Sequence, residues 1–72
     1  MELTTAEKIR IIMKRRGMTL TQLAALTGTT RQNLSNKLQR NNFSESELIQ
    51  ISKALECKFI PMFQMDDTKE KI

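Results

Sequence analysis

A chain of 72 residues, 39% apolar and 28% charged, has the size of one small domain and a globular rather than disordered composition. It has no histidine and one cysteine, Cys57, which excludes an intrachain disulfide, a histidine-based acid/base or nucleophile pair and the usual zinc clusters, and leaves an enzyme without support. No apolar run approaches the ~18 residues of a membrane span, and the polar opening Met1-Glu2-Leu3-Thr4-Thr5 lacks a signal-peptide apolar region, so an intracellular, cytoplasmic protein is expected.

Helix signals dominate. Thr4 and Glu7 have capping-box spacing, and Ala6, Ile9, Ile12 and Met13 then recur on one helical face. Lys14, Arg15 and Arg16 suit the negative end of this first helix, and Gly17 suits the left-handed position that closes it. Thr19 and Gln22 form a second box, with Met18 and Leu23 as a hydrophobic staple, and predict a short helix over about 20–27 that Gly28 stops. Leu23 and Ala24 face inward, joined by Leu20 or Leu26.

Thr30 can cap a third helix over about 31–38, where Leu34 and Leu38 form an i, i+4 apolar stripe. Its other face holds Arg31, Gln32, Asn33, Ser35, Asn36 and Lys37, rich in hydrogen-bonding groups and free of acidic residues. Residues 39–42 read as a loop with an asparagine in the left-handed region. Ser44 and Glu47 form a third capping box, Phe43 and Leu48 the staple, and a fourth helix should run to about Glu56 with Leu48, Ile51 and Leu55 inward. Residues 58–65 are dense in apolar and aromatic side chains around Pro61. They fit a strand, the first arm of a hairpin turning at Asp66-Asp67-Thr68, better than a short fifth helix.

Two short helices joined by a tight glycine-containing turn make a helix-turn-helix. Ala24 is small enough for the two to cross closely, Gly28 supplies the positive φ, Leu34 anchors the second helix, and Arg31, Gln32 and Asn33 are presented at its start. Charge agrees: residues 1–43 hold eight basic and two acidic side chains, whereas residues 44–72 hold four basic and six acidic ones. The basic half fits a polyanion, with an unevenly charged solvated surface as the plainer reading.

Over about residues 5–58 the chain resembles the Cro-type, lambda repressor-like helix-turn-helix proteins of the XRE family. The resemblance rests on Arg16-Gly17-Met18-Thr19, Leu23-Ala24, Gly28-Thr29-Thr30, Leu34 and Ala54-Leu55 in order and at the family's spacing. It implies an all-α fold of four to five helices, with residues 1–57 as the DNA-binding domain and residues 58–72 as a tail whose strand or hairpin serves a dimer or partner contact. Arg31, Gln32 and Asn36 would then occupy base-reading positions. An arginine can bond guanine O6 and N7, and a glutamine or asparagine adenine N6 and N7. Asn33 and Ser35 could reach a base or a phosphate. Thr19, Thr29 and Thr30 flank helix N-termini, where free N–H groups favour phosphate as well as a cap. Lys37, Arg40, Asn41 and Asn42 lie where relatives touch the sugar-phosphate backbone. Three departures stand out: Leu20 where a phosphate-binding glutamine is common, and Thr27 and Lys37 where the family carries apolar residues.

The expected function is sequence-specific recognition of double-stranded DNA by a transcriptional regulator of repressor type. One recognition helix reads few base pairs, so useful specificity implies a homodimer on half-sites about 34 Å apart. No cofactor, metal, small-molecule ligand or membrane partner is expected. Phe43, Phe59 and Phe63, outside any basic cluster and without Trp or Tyr, do not suggest a single-strand stacking module. The alternatives are an interaction or antitoxin-type module on the same fold, and an accessory DNA-binding protein of a mobile element.

Overall fold

The computed structural model describes residues 2–72. Four helices follow one another: α1 (Thr5–Arg16), α2 (Leu20–Leu26), α3 (Arg31–Arg40) and α4 (Glu45–Ala54). Each begins at a hydroxyl side chain. Thr4, Thr19, Thr30 and Ser44 accept from the N–H of Glu7, Gln22, Asn33 and Glu47, and in α1, α2 and α4 the third residue reaches back to complete the box. Such a cap satisfies a helix-end donor that would otherwise need water.

The helix ends are also alike. A left-handed residue follows each helix: Gly17 (φ 63°), Gly28 (φ 73°), Asn41 (φ 52°) and Glu56 (φ 56°). The next N–H in each case bonds back to a carbonyl five residues earlier, as from Met18 to Met13, Thr29 to Ala24, Asn42 to Lys37 and Cys57 to Ser52. This is the Schellman closure. A Cβ on Gly17 or Gly28 would meet nothing within 4 Å, so the positive φ and not crowding is what favours glycine there.

The core draws on all four helices: Ala6, Ile9 and Met13 from α1, Leu23 and Ala24 from α2, Leu34 and Leu38 from α3, and Ile51 with Leu55 at the end of α4. Ile12, Met18, Leu20, Phe43, Leu48, Ala54 and Cys57 pack around it. Of the two expected inward residues of α2, Leu20 is packed, whereas Leu26 is 63% exposed. No polar side chain is buried among the described residues. Polar contacts instead tie the helices at their ends. Arg16 Nε donates to the Leu55 carbonyl at 3.1 Å, and its Nη2 to that of Glu56 at 3.0 Å, so the last residue of α1 caps the end of α4.

Several boundaries differ from the sequence expectation. Helix α2 ends at Leu26, because Thr27 (φ −98°, ψ 4°) already leaves helical geometry ahead of the left-handed Gly28. Helix α3 runs on to Arg40, so Gln39 and Arg40 are helical and the left-handed asparagine is Asn41. Helix α4 stops at Ala54, because Glu56 adopts the left-handed turn.

The strand expected over 58–65 is not formed, and neither is a fifth helix. One antiparallel bridge, Gln64 with Lys71, is present. Around it Phe63 and Ile72 exchange two backbone hydrogen bonds of 2.8 Å, and Met65 N–H donates to the Glu70 carbonyl. Asp66-Asp67-Thr68 makes the turn, with Thr68 N–H on the Asp67 carboxylate. A strand needs a partner along its length. Pro61 offers no N–H, and no second strand lies alongside residues 58–62.

Candidate nucleic-acid interface

Helix α3 is held by its buried stripe, Leu34 and Leu38, against α2 and the core, which turns its polar residues outward. Arg31, Gln32 and Asn33 are exposed at its first turn, and Ser35 and Asn36 are half-buried one turn on. Gln32 Nε2 donates to Asn36 Oδ1 at 3.0 Å. That i, i+4 bond restricts both carboxamides, yet leaves Gln32 Oε1, its second N–H and the Asn36 amide donors free. The first turn of α3 has no acidic residue, and its last turn carries Lys37 and Arg40. A shallow depression lined by Asn33, Asn36, Lys37, Arg40 and Asn42 runs along the same face, so one surface brings together donors from the middle of α3 and from the loop after it.

The threonines are placed for capping first. The hydroxyl oxygens of Thr19 and Thr30 accept backbone N–H groups at 3.1 Å. Each hydroxyl keeps its own proton, so capping and donation to a phosphate are compatible. Thr29 is half-buried, and its N–H closes the α2 turn on Ala24.

Two expected site residues are engaged elsewhere. Asn41 Oδ1 accepts from Ala6 N–H at 2.9 Å, which ties the end of α3 to the start of α1. Lys37 Nζ lies 2.6 Å from Glu47 Oε2 of α4. The lysine beside it and the Ser44 N–H hold the Glu47 carboxyl well below its usual range, at about 2. Thr4 lowers the Glu7 carboxyl in the same way within the α1 cap. The Gln32–Asn36 pair has a sequence signal, two carboxamides four residues apart, whereas the Asn41 and Glu47 contacts cross the fold and have none.

A short helix, a glycine turn and a second helix with an exposed polar, acid-free face define a helix-turn-helix module. Residues 8–60, well over half the chain, match the family model of the Cro/C1-type helix-turn-helix DNA-binding domain, and the chain belongs to that family. It therefore carries a DNA-binding domain of the kind that transcription regulators use. Comparison with curated proteins and with solved structures gave no match. No helix among the described residues is long and apolar enough to cross a membrane.

Proposed function

We propose that the protein is a sequence-specific transcriptional repressor that inserts α3 into the major groove of double-stranded DNA as a homodimer. The observation that carries this is the outer face of α3: Arg31, Gln32, Asn33, Ser35 and Asn36 together, without a carboxylate, with Gln32 and Asn36 already bonded to each other. Arg31 and Gln32 read base edges, with Asn36 beside them, and Asn33 and Ser35 reach the flanking edge or phosphate. Arg40, Asn42 and the hydroxyls of Thr19, Thr29 and Thr30 hold the phosphates that set register. Repression is the mode that the resemblance to phage regulators favours.

The tail supports the dimer. Phe63 is 80% exposed and Ile72 72%, and Ile60, Met62 and Met65 are exposed beside them, so residues 58–72 bring apolar surface that the monomer leaves in water. A two-fold mate covers it, and removal of residues 58–72 yields a monomer by sedimentation whose helices remain folded. The same exposed tail favours a second reading, an interaction module that grips a different protein. Arg31→Ala with Gln32→Ala then abolishes DNA binding and leaves that partner attached.

The decisive experiment is selection of bound sequences from a random duplex library at about physiological salt, where non-specific affinity is weak. An enriched inverted repeat supports the dimeric repressor. A single short site keeps DNA recognition and removes the dimer. An unenriched pool overturns the proposal in favour of the interaction module.

A further inference from the structure

Lys37 is the third residue after Leu34, at a position on the flank of α3 that looks toward α4. With Thr27, Leu34, Glu47 and Ile51 it lines a small recess between the helices, and with Asn33, Asn36 and Arg40 it borders the depression on the polar face of α3. Its side chain is 39% exposed and that of its partner Glu47 33%. The carboxylate it meets is already oriented, because Glu47 Oε1 accepts the Ser44 N–H at 2.9 Å while Oε2 faces Lys37 Nζ at 2.6 Å. One acidic side chain thus starts α4 and binds α3. The charge of Lys37 ends on a carboxylate rather than in open solvent. Arg40, one turn further on, is exposed and has no ion-pair partner among the described residues.

We infer that Lys37 is a positioning residue that seats α3 on α4 through Glu47, and is not one of the cations that neutralise DNA phosphates. The inference rests on the proposal that α3 faces DNA. A lysine paired with a carboxylate of its own protein has no net charge to exchange for the duplex's counterions, so while that pair holds it contributes nothing to the salt dependence of binding. Each true phosphate contact contributes a slope of about 0.9 in log K against log salt. What the Lys37–Glu47 pair adds is a polar tie between α3 and α4 beside the Leu34–Leu38 stripe that holds the helix.

The test measures affinity from about 50 to 200 mM salt for the wild type, Lys37→Met, Glu47→Gln and Arg40→Met, on the selected site and on a scrambled duplex. Methionine keeps length and helix preference without charge. Lys37→Met should keep the wild-type slope on both duplexes, whereas Arg40→Met should be shallower by about 0.9. Glu47→Gln, which retains a capping side chain, releases Lys37; it should steepen the slope by about 0.9 and narrow the ratio of specific to non-specific affinity. The Glu47→Gln arm stands alone if Lys37→Met fails to fold, and an unchanged slope there overturns the inference. Shallower slopes in both Lys37→Met and Arg40→Met overturn it while leaving the DNA-facing role of α3 intact. A slope that none of the variants alters overturns both.

Discussion

Ala6 and Asn41, 35 positions apart, are joined by a single hydrogen bond of 2.9 Å from the Ala6 N–H to the Asn41 carboxamide oxygen. Ala6 lies in the first turn of α1, where N–H groups lack partners within the helix. Asn41 ends α3 with φ 52°, a conformation that asparagine tolerates better than most residues. One residue therefore closes one helix with its backbone and caps another with its side chain.

The two roles of Asn41 separate by substitution. Asn41→Gly keeps the left-handed turn and loses only the bond to Ala6, a cost of about 0.5–1.5 kcal/mol. Asn41→Ala loses the same bond and keeps a Cβ in the left-handed region without the polar side chain that makes it tolerable, which puts it about 1–2 kcal/mol below the glycine variant. Urea unfolding should therefore rank wild type above Asn41→Gly and Asn41→Gly above Asn41→Ala. Equal midpoints for the two variants would refute the account of the turn.

Glu56 holds the same left-handed position after α4 with φ 56°, but without the tolerance of glycine or asparagine. Arg16 bonds the backbone carbonyls of Leu55 and Glu56, not the Glu56 side chain. Glu56→Gly therefore keeps the clamp and relieves the backbone, and should stabilise the protein by about 0.5–1 kcal/mol. A raised thermal midpoint with unchanged DNA affinity is the expected result.

The Lys37–Glu47 contact has a pH signature. Glu47 falls from its ordinary 4.5 to about 2 in the folded protein. A depressed carboxylate contributes stability that is complete above the unfolded value, so this contribution is lost as pH drops from about 4.5 to about 2. Solvent reaches both partners, which limits the gain at neutral pH to about 0.2–1 kcal/mol. Glu47→Gln should be less stable than wild type at neutral pH by that small margin, and the gap should close in acid. Urea midpoints of both proteins at neutral and acid pH check this; a gap that persists in acid would count against the ion pair as its source.

Gln32 and Asn36 should act as a unit on DNA. Gln32→Ala removes a bidentate reader and should cost about 1–3 kcal/mol of discrimination at one base pair. Asn36→Ala removes the acceptor that orients Gln32, so it should relax preference at that same base pair. Affinities for single-base-pair variants of the selected site, measured for both single variants and the double, should show coupling at one position. Independent losses at separate positions would remove the Asn36 support for Gln32.

The sequence by itself determined the helix starts, the apolar faces and the polar face of α3, because these depend on side chains three or four residues apart. Thr4 with Glu7, Thr19 with Gln22 and Ser44 with Glu47 form the boxes their spacing implies, and Leu34 with Leu38 buries as a stripe. The tertiary structure alone decided how those pieces are fastened and which cations remain free. Arg16 reaches Leu55, Asn41 reaches Ala6 and Lys37 reaches Glu47 only after α1, α3 and α4 have packed around Leu23 and Leu34. The tail was misread as a strand for the same reason: dense apolar and aromatic residues suit a sheet, but a strand forms only against a partner, and residues 58–62 have none in the described chain, the pairing being confined to the turn around Gln64 and Lys71. Local spacing is written in the order of residues, whereas the pairing of distant groups is set by the geometry of the packed core.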